Sequence, residues 1–165
     1  MKTSLRSYVG FDRHPGMIQW CQTNLASQDA RFTFDYFNLQ STYMAWDQHA
    51  GNLAVSDFTF PYVAGQFSAV LLASVFTHMP IGEIRHYLHE LTRTVHPGGK
   101  ILLSVFFAAG EPYVLTEGVN VFHRPQEFFA AVTSAGLQWR ALAGDTPPGV
   151  GFTHNWYILE HASVA

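Results

Sequence analysis

Two almost unbroken apolar runs, Phe67–Phe76 and Lys100–Phe107, flank a stretch in which Ile81, Ile84, Leu88, Leu91 and Val95 recur at helical spacing. A strand that is apolar along its whole length needs cover on both faces, and a mostly parallel, helix-flanked sheet provides it. Pro80 opens the helix between the runs, and His96-Pro97-Gly98-Gly99 closes it with turn chemistry. The middle of the chain therefore reads as strand, amphipathic helix and strand.

The flanking sequence repeats the alternation. Ser7–Asp12 is a short strand candidate, and Pro15–Ala26 is a helix with Met17, Cys21 and Leu25 four residues apart on its inward face. Ala30–Phe37 alternates as a strand does, and a long irregular stretch, Asn38 to Gln66, follows. Arg124–Ala135 is a third helix, with Phe128, Phe129 and Val132 inward and Gly136 beyond its end. Leu137–Ala143 and Asn155–His161 are the final strands. The Gly144–Gly151 loop between them is too short for a crossover helix, so they should run antiparallel. The fold class is α/β, a mostly parallel sheet flanked by helices with its last strands antiparallel, in a single domain over residues 1–165.

Composition narrows the function. Nine Lys and Arg against twelve Asp and Glu give a net charge of −3, which does not provide the basic face that nucleic acid requires. Only 13% of residues are charged and 48% are hydrophobic, so disorder is excluded. The aromatic share of 15% points to a filled core and an aromatic-lined pocket. Cys21 is the lone cysteine, which excludes an internal disulfide and fits a reducing, cytoplasmic compartment. No apolar run approaches the roughly 20 residues a membrane helix needs.

In such sheets ligands bind beyond the carboxyl ends of the strands. Four places qualify. Asp12 closes the first strand, where a carboxylate can accept both hydroxyls of a ribose diol or can cap the following turn. Asp35, followed by Tyr36 and Phe37, can accept from an exocyclic amine beside an aromatic cover, or be a solvated strand-end acid. Ser74-Val75-Phe76-Thr77-His78 lies where a central strand opens toward its helix. The segment Ala108–His123 could cover a substrate.

The ordered set resembles the class I S-adenosylmethionine-dependent methyltransferases. The carrying residues are FSAVLLASVFTHMPIGEIRHYLHELTRTVHPGGKILLSVFF, from Phe67 to Phe107, and YVGFDRHPGMIQWCQTNL, from Tyr8 to Leu25. The resemblance implies a Rossmann-like sheet, S-adenosylmethionine as cofactor and methyl transfer to oxygen or nitrogen of a small-molecule acceptor. It implies Asp12, Met17, Asp35, Tyr36, Ser74 and Val75 as cofactor-binding residues, with Asp12 on the ribose and Asp35 facing the adenine. His78 is the candidate catalytic base, histidine titrating near neutrality.

Two positions depart from that pattern. Ser68 stands where the family usually has an acid. Only eleven residues precede Asp12, and Gly10 is the sole glycine among them, whereas the family's glycine-rich loop lies about 20 residues before this acid. The first strand, glycine loop and first helix are expected to be lacking, as in a fragment, half of a split protein, or a non-catalytic, partner-binding remnant. Unpaired strand edges would then favour self-association.

The other tempting residues have plainer readings. His86, His89 and Glu90 fall on the polar side of their helix, read as solvated, and no metal site is expected. His123 and His154 have no evident partner. Cys21 reads as an inert inward thiol. Tyr43, Met44 and Trp46 form either a functional lid or a satellite hydrophobic cluster. A nicotinamide-dependent enzyme shares the Asp12 logic without further support.

Overall fold

The computed structural model describes residues 5–40, 51–115, 120–142 and 148–163. They fall into two compact units, residues 1–54 and 55–165.

In the first unit, β1 (Tyr8–Asp12) and β2 (Phe32–Tyr36) form a parallel pair in which Tyr8 faces Phe32 and Asp12 faces Tyr36. Strand alternation sets Tyr8, Gly10 and Asp12 on one face with Phe32, Phe34 and Tyr36. Gly10 is required there, because a Cβ would lie 2.9 Å from the Phe34 ring and 3.1 Å from Tyr8. The connection is α1 (Pro15–Cys21), which loosens into a π-helical turn over Gln22–Ala26. Pro15 occupies the first turn, where its missing N–H costs nothing, and the His14 ring accepts the Met17 N–H. The inward face differs from the one the spacing predicts. Ile18 is buried, whereas Met17 is 56% exposed, Leu25 is exposed and Cys21 is half-buried. A two-stranded sheet is narrow and covers one stripe of a helix, and the tighter register of Ile18 takes it.

The second unit holds a six-stranded sheet. Its elements are β3 (Phe67–Leu72), α2 (Ile81–Thr94), β4 (Val95–Phe107), β5 (Tyr113–Leu115), β6 (Asn120–His123), α3 (Pro125–Ser134), β7 (Leu137–Ala141) and β8 (Gly151–His161). β4 is its spine. β8 pairs antiparallel with β4 from Ile101 to Phe107 and so fills one edge. β3 pairs parallel with residues up to Leu103, and β6 with Phe106 and Phe107, in tandem along the other edge. β7 lies outside β8 and antiparallel to it, as the short loop requires, and β5 lies antiparallel outside β6. The mostly parallel, helix-flanked sheet of the sequence reading is present, with β3, β4, β6 and β7 running one way and β5 and β8 the other.

Gly99 allows β4 to begin directly after α2. A Cβ there would lie 2.6 Å from Val95 Cγ1, 2.9 Å from the His96 carbonyl oxygen and 3.1 Å from that of Phe67. One face of β4, Ile101, Leu103, Val105 and Phe107, is fully buried. Phe107 packs edge-on against Phe128 of α3 at 5.8 Å, and Ile84, Leu88 and Leu91 of α2 are buried as the periodicity predicts.

Three expectations need correction. β3 is shorter than its apolar run and is not buried on both faces: Ser68, Ala69 and Leu71 are exposed, Leu71 at 59%, because among the described residues β3 pairs with β4 alone. Residues 73–78 leave the strand in a turn and a 3₁₀ helix, Phe76–His78. Ala108–His123, for which the sequence predicts no strand, contributes β5 and β6. Each is at most four residues long, too short for periodicity to show.

The polar side of α2 is not merely solvated either. His86 Nε2 lies 2.9 Å from the Phe58 carbonyl oxygen, and Glu90 accepts the Phe60 N–H at 2.7 Å. Arg93 donates to the carbonyl oxygens of Phe60 at 2.8 Å and Tyr62 at 2.7 Å, and to Glu90 at 2.6 Å. This clamp fixes the irregular segment 55–62 on the helix and buries Phe58 and Phe60, the latter edge-on to Tyr87 at 4.9 Å. The Arg93 guanidinium holds the Glu90 carboxyl below the usual carboxylate range, burial opposing it.

Candidate functional site

The carboxyl ends of β1 and β2 bring three of the predicted residues together. Asp12 is exposed, and its Oδ1 accepts the His14 N–H at 2.8 Å. The capping role and the ligand role are therefore compatible: one carboxylate oxygen steers the chain into α1, and the other can accept a hydroxyl. Tyr36, the register partner of Asp12, is 40% exposed, and its hydroxyl bonds Asn38 Oδ1 at 3.0 Å. Met17 stands exposed in the first turn of α1. Asp35 is the register partner of Phe11, so it lies on the sheet face opposite Asp12. A carboxylate with an available oxygen and an exposed thioether are a donor set that suits a ribose diol and an apolar base.

In the second unit the turn after β3 is organised by hydroxyl groups. Ser74 has φ 59, the single positive value among the described non-glycine residues. Left-handed backbone costs a side-chain-bearing residue roughly 1–2 kcal/mol, so the surroundings must impose it. They do so twice. The Ser74 N–H donates to Ser104 Oγ at 2.9 Å, and Ser74 Oγ lies 2.9 Å from Thr77 Oγ1. Ser104 and Thr77 are both completely buried. His78 Nε2 lies 3.4 Å from Ser74 Oγ, so the predicted base and the predicted cofactor residue do meet. Val75 caps the short 3₁₀ helix and is 36% exposed.

Two histidines without an evident partner in sequence have one in the structure. His123, 1% exposed, directs Nε2 toward the Phe76 carbonyl oxygen at 3.4 Å. Burial pushes its pKa below the ordinary value. His154 Nδ1 lies 3.3 Å from Ser104 Oγ. Sequence reasoning missed Ser104, although a lone hydroxyl inside Ile101–Ala109 was a usable signal. For His154 there was none, since its partner is fixed only by the β4–β8 register. Among the described residues no cluster of three or more His, Cys, Asp or Glu could hold a metal ion, and no helix is long and apolar enough to cross a membrane. Tyr43, Met44 and Trp46 lie outside the described residues.

Comparison with known proteins places these elements in a wider frame. A family model described as a methyltransferase domain matches residues 1–103. Among solved structures, the DhpI–SAH complex is similar with a TM-score of 0.59 at 17% identity, over 94% of this chain and 66% of that one. Human N-acetylserotonin methyltransferase in complex with SAM is similar at 0.56 and 16% identity, over 95% of this chain and 41% of that one. The O-methyltransferase of a trans-AT PKS multienzyme of Brevibacillus brevis, in complex with S-adenosyl-L-homocysteine, is similar at 0.66 and 12% identity, over 94% and 59%. The chain thus spans under two thirds of the length of each. At such identities the likeness concerns the fold.

Proposed function

The chain belongs to the methyltransferase domain family of the class I, S-adenosylmethionine-dependent type, and from that membership we propose that it transfers a methyl group from S-adenosylmethionine to an oxygen or nitrogen of a small-molecule acceptor. The observation that carries the reading is Asp12. It is an exposed carboxylate at the carboxyl end of a parallel strand, pinned by one oxygen and available by the other. When bound, S-adenosylmethionine supplies an electrophilic methyl group on a positively charged sulfur.

The chain's own residues then position and receive. Asp12 accepts the ribose hydroxyls, charge-assisted bonds worth about 1.5–3 kcal/mol each. Met17 and Tyr36 give apolar contact to the base; Asp35, which the resemblance assigns to the exocyclic amine, lies on the opposite sheet face and takes no part on this side. In the second unit, taken by itself, the resemblance assigns Ser74 and Val75 to cofactor binding, and Ser104 fixes the Ser74 backbone. His78, held by Ser74 Oγ, is the proposed proton acceptor. Methyl transfer asks little more of a protein than alignment of the two reacting atoms, so a sparse catalytic set is sufficient.

The test is an NMR titration of the chain with S-adenosylmethionine, repeated for Asp12→Ala and His78→Gln. Saturable shifts at the ends of β1 and β2 are expected, weakened at least tenfold by Asp12→Ala, the loss of one charge-assisted bond. His78→Gln should leave cofactor affinity unchanged. Equal losses in the two variants would sink the assignment.

A second reading, that the chain acts as one half of a larger assembly, is favoured by the strand edges. β1 pairs only with β2, and β3 only with β4, so each presents an edge without a strand partner among the described residues. Size-exclusion chromatography with light scattering tests it, and a strictly monomeric chain at high concentration speaks against it.

A further inference from the structure

We propose that His154 is a positioning residue for the turn after β3: its neutral ring accepts the Ser104 hydroxyl and thereby holds Ser74, and a proton taken up by the ring releases the turn. For its consequence at the cofactor the proposal rests on the methyltransferase reading above, to which it adds a dependence on pH.

The hydrogen bonds of Ser104 admit one arrangement. Its side chain is completely buried on β4, and its Oγ accepts the Ser74 N–H at 2.9 Å. A backbone N–H can only donate, so the hydroxyl proton must go elsewhere, and a buried donor without an acceptor is costly. Among the described residues the one acceptor in reach is His154 Nδ1, at 3.3 Å. The neutral imidazole therefore carries its proton on Nε2. The bonds run in one direction, from Ser74 N–H to Ser104 Oγ and from Ser104 O–H to His154 Nδ1. By donating, the hydroxyl is polarised and becomes a better acceptor for Ser74. The row continues beyond Ser74, whose Oγ lies 2.9 Å from Thr77 Oγ1 and 3.4 Å from His78 Nε2.

His154 stands where solvent protons reach it. It is exposed on β8, whereas Ser104 and Thr77 are completely buried. Trp156 lies opposite Ser104 in the antiparallel register, so His154, two residues away on the same face, approaches Ser104 diagonally. Its ring is flanked by Phe106, edge-on at 4.6 Å, and by Trp156 at 6.3 Å. No ion pair involves His154 among the described residues. On the strands of this face the charged groups are Arg140, opposite Ile158, and the Lys100–Glu160 pair, both further along β8. His78 is the other titratable group tied to the turn.

Protonation turns Nδ1 from an acceptor into a donor. The ring then either points its N–H at Ser104 Oγ or swings out into water. In both cases the Ser104 hydroxyl proton has no acceptor, and the left-handed backbone at Ser74, φ 59, loses the bond that sustains it. The hold is present while the ring is neutral and is lost as pH falls. Cofactor affinity follows it, because the released turn carries Ser74 and Val75.

The first test needs no cofactor: the Ser74 amide and the His154 ring are followed by NMR from about pH 8 to about pH 5, the range in which histidine titrates. In wild type the two are expected to shift with a common midpoint. His154→Asn, whose Oδ1 can take the place of Nδ1, should keep the Ser74 signal near its high-pH position throughout. His154→Leu should show the acid-form signal at every pH. His78→Gln should leave the titration of Ser74 intact, which separates the two histidines. A Ser74 titration that persists in His154→Asn, or an asparagine chain that behaves as the leucine chain, overturns the proposal. The second test is calorimetry with S-adenosylmethionine at both ends of the range. Wild type should lose about threefold to tenfold more affinity on acidification than His154→Asn, the net worth of one neutral hydrogen bond. Equal losses in the two chains overturn this inference alone. A wild-type chain that binds no cofactor at the upper pH overturns the methyltransferase reading and the cofactor consequence with it, while the Ser74 titration still decides the coupling.

Discussion

Ser104 Oγ, on the central strand, accepts the backbone N–H of Ser74 at 2.9 Å and thereby holds the one described non-glycine residue with positive φ. Ser104→Ala leaves that part-buried donor unpaired. An unfolding free-energy loss of about 1–3 kcal/mol is expected from denaturant titration. A change below about 0.5 kcal/mol, the usual size of a neutral surface substitution, would show that the bond is not needed.

Gly99 and Gly82 should respond in opposite directions to alanine. At Gly99 the new Cβ meets Val95 at 2.6 Å and backbone oxygens within 3.1 Å, so Gly99→Ala is expected to cost about 1–3 kcal/mol. Gly82 sits in the first turn of α2 with nothing within 4 Å of the position of its missing Cβ. Gly82→Ala should stabilise by about 0.5–1 kcal/mol through the unfolded chain's lost freedom. Thermal melts of the two variants check both signs.

The Glu90–Arg93 clamp predicts an acid limb. Arg93 lowers the Glu90 pKa in the folded chain from an ordinary 4.5, so the folded state binds this proton less readily than the unfolded state. The stability it contributes is therefore complete above pH 4.5 and is lost as pH falls through the lowered value. Glu90→Gln should be less stable than wild type at pH 7, by about 1.5–3 kcal/mol. The two should converge in acid, and a gap that is constant with pH would contradict the ionic role.

His123 predicts a second, higher window. Burial lowers its pKa from 6.5, so the unfolded chain takes up this proton first on acidification. Stability is full above pH 6.5 and declines as pH falls toward the lowered folded value. His123→Gln should lack this decline. Parallel wild-type and variant curves between pH 7 and pH 5 would refute it.

What was legible in the sequence followed from periodicity. The α2 stripe, the β4 run and the antiparallel last pair all read correctly, because burial on one stripe, burial on two faces and a short loop each leave a pattern. β3 did not, because an apolar run cannot reveal that its strand has a neighbour on one side only. Met17 and Leu25 read as inward because four-residue spacing fixes a stripe but not which stripe is covered. Asp12 and the Ser74–His78 turn lie at strand ends, where their sequence positions put them. Ser104 and His154 were not legible, since their meeting depends on a β4–β8 register joining residues 50 positions apart. The Glu90–Arg93 clamp was hidden for a related reason: the partners on residues 58–62 are backbone groups, which carry no sequence signal.

The sheet order β6-β4-β8-β7 has a consequence for how the chain is made. β7 precedes β8 in the order of synthesis, yet it reaches the sheet only through β8. A ribosome releases β7 while the place it will occupy does not exist. Trp139, stacked on Phe129 at 3.9 Å in the finished protein, can find that ring early, because α3 has already emerged. The strand's backbone cannot be paired until Gly151–His161 follows. For that interval β7 is an open edge held by one aromatic contact, the moment of biogenesis at which a chaperone or a misplaced neighbour would most easily take it.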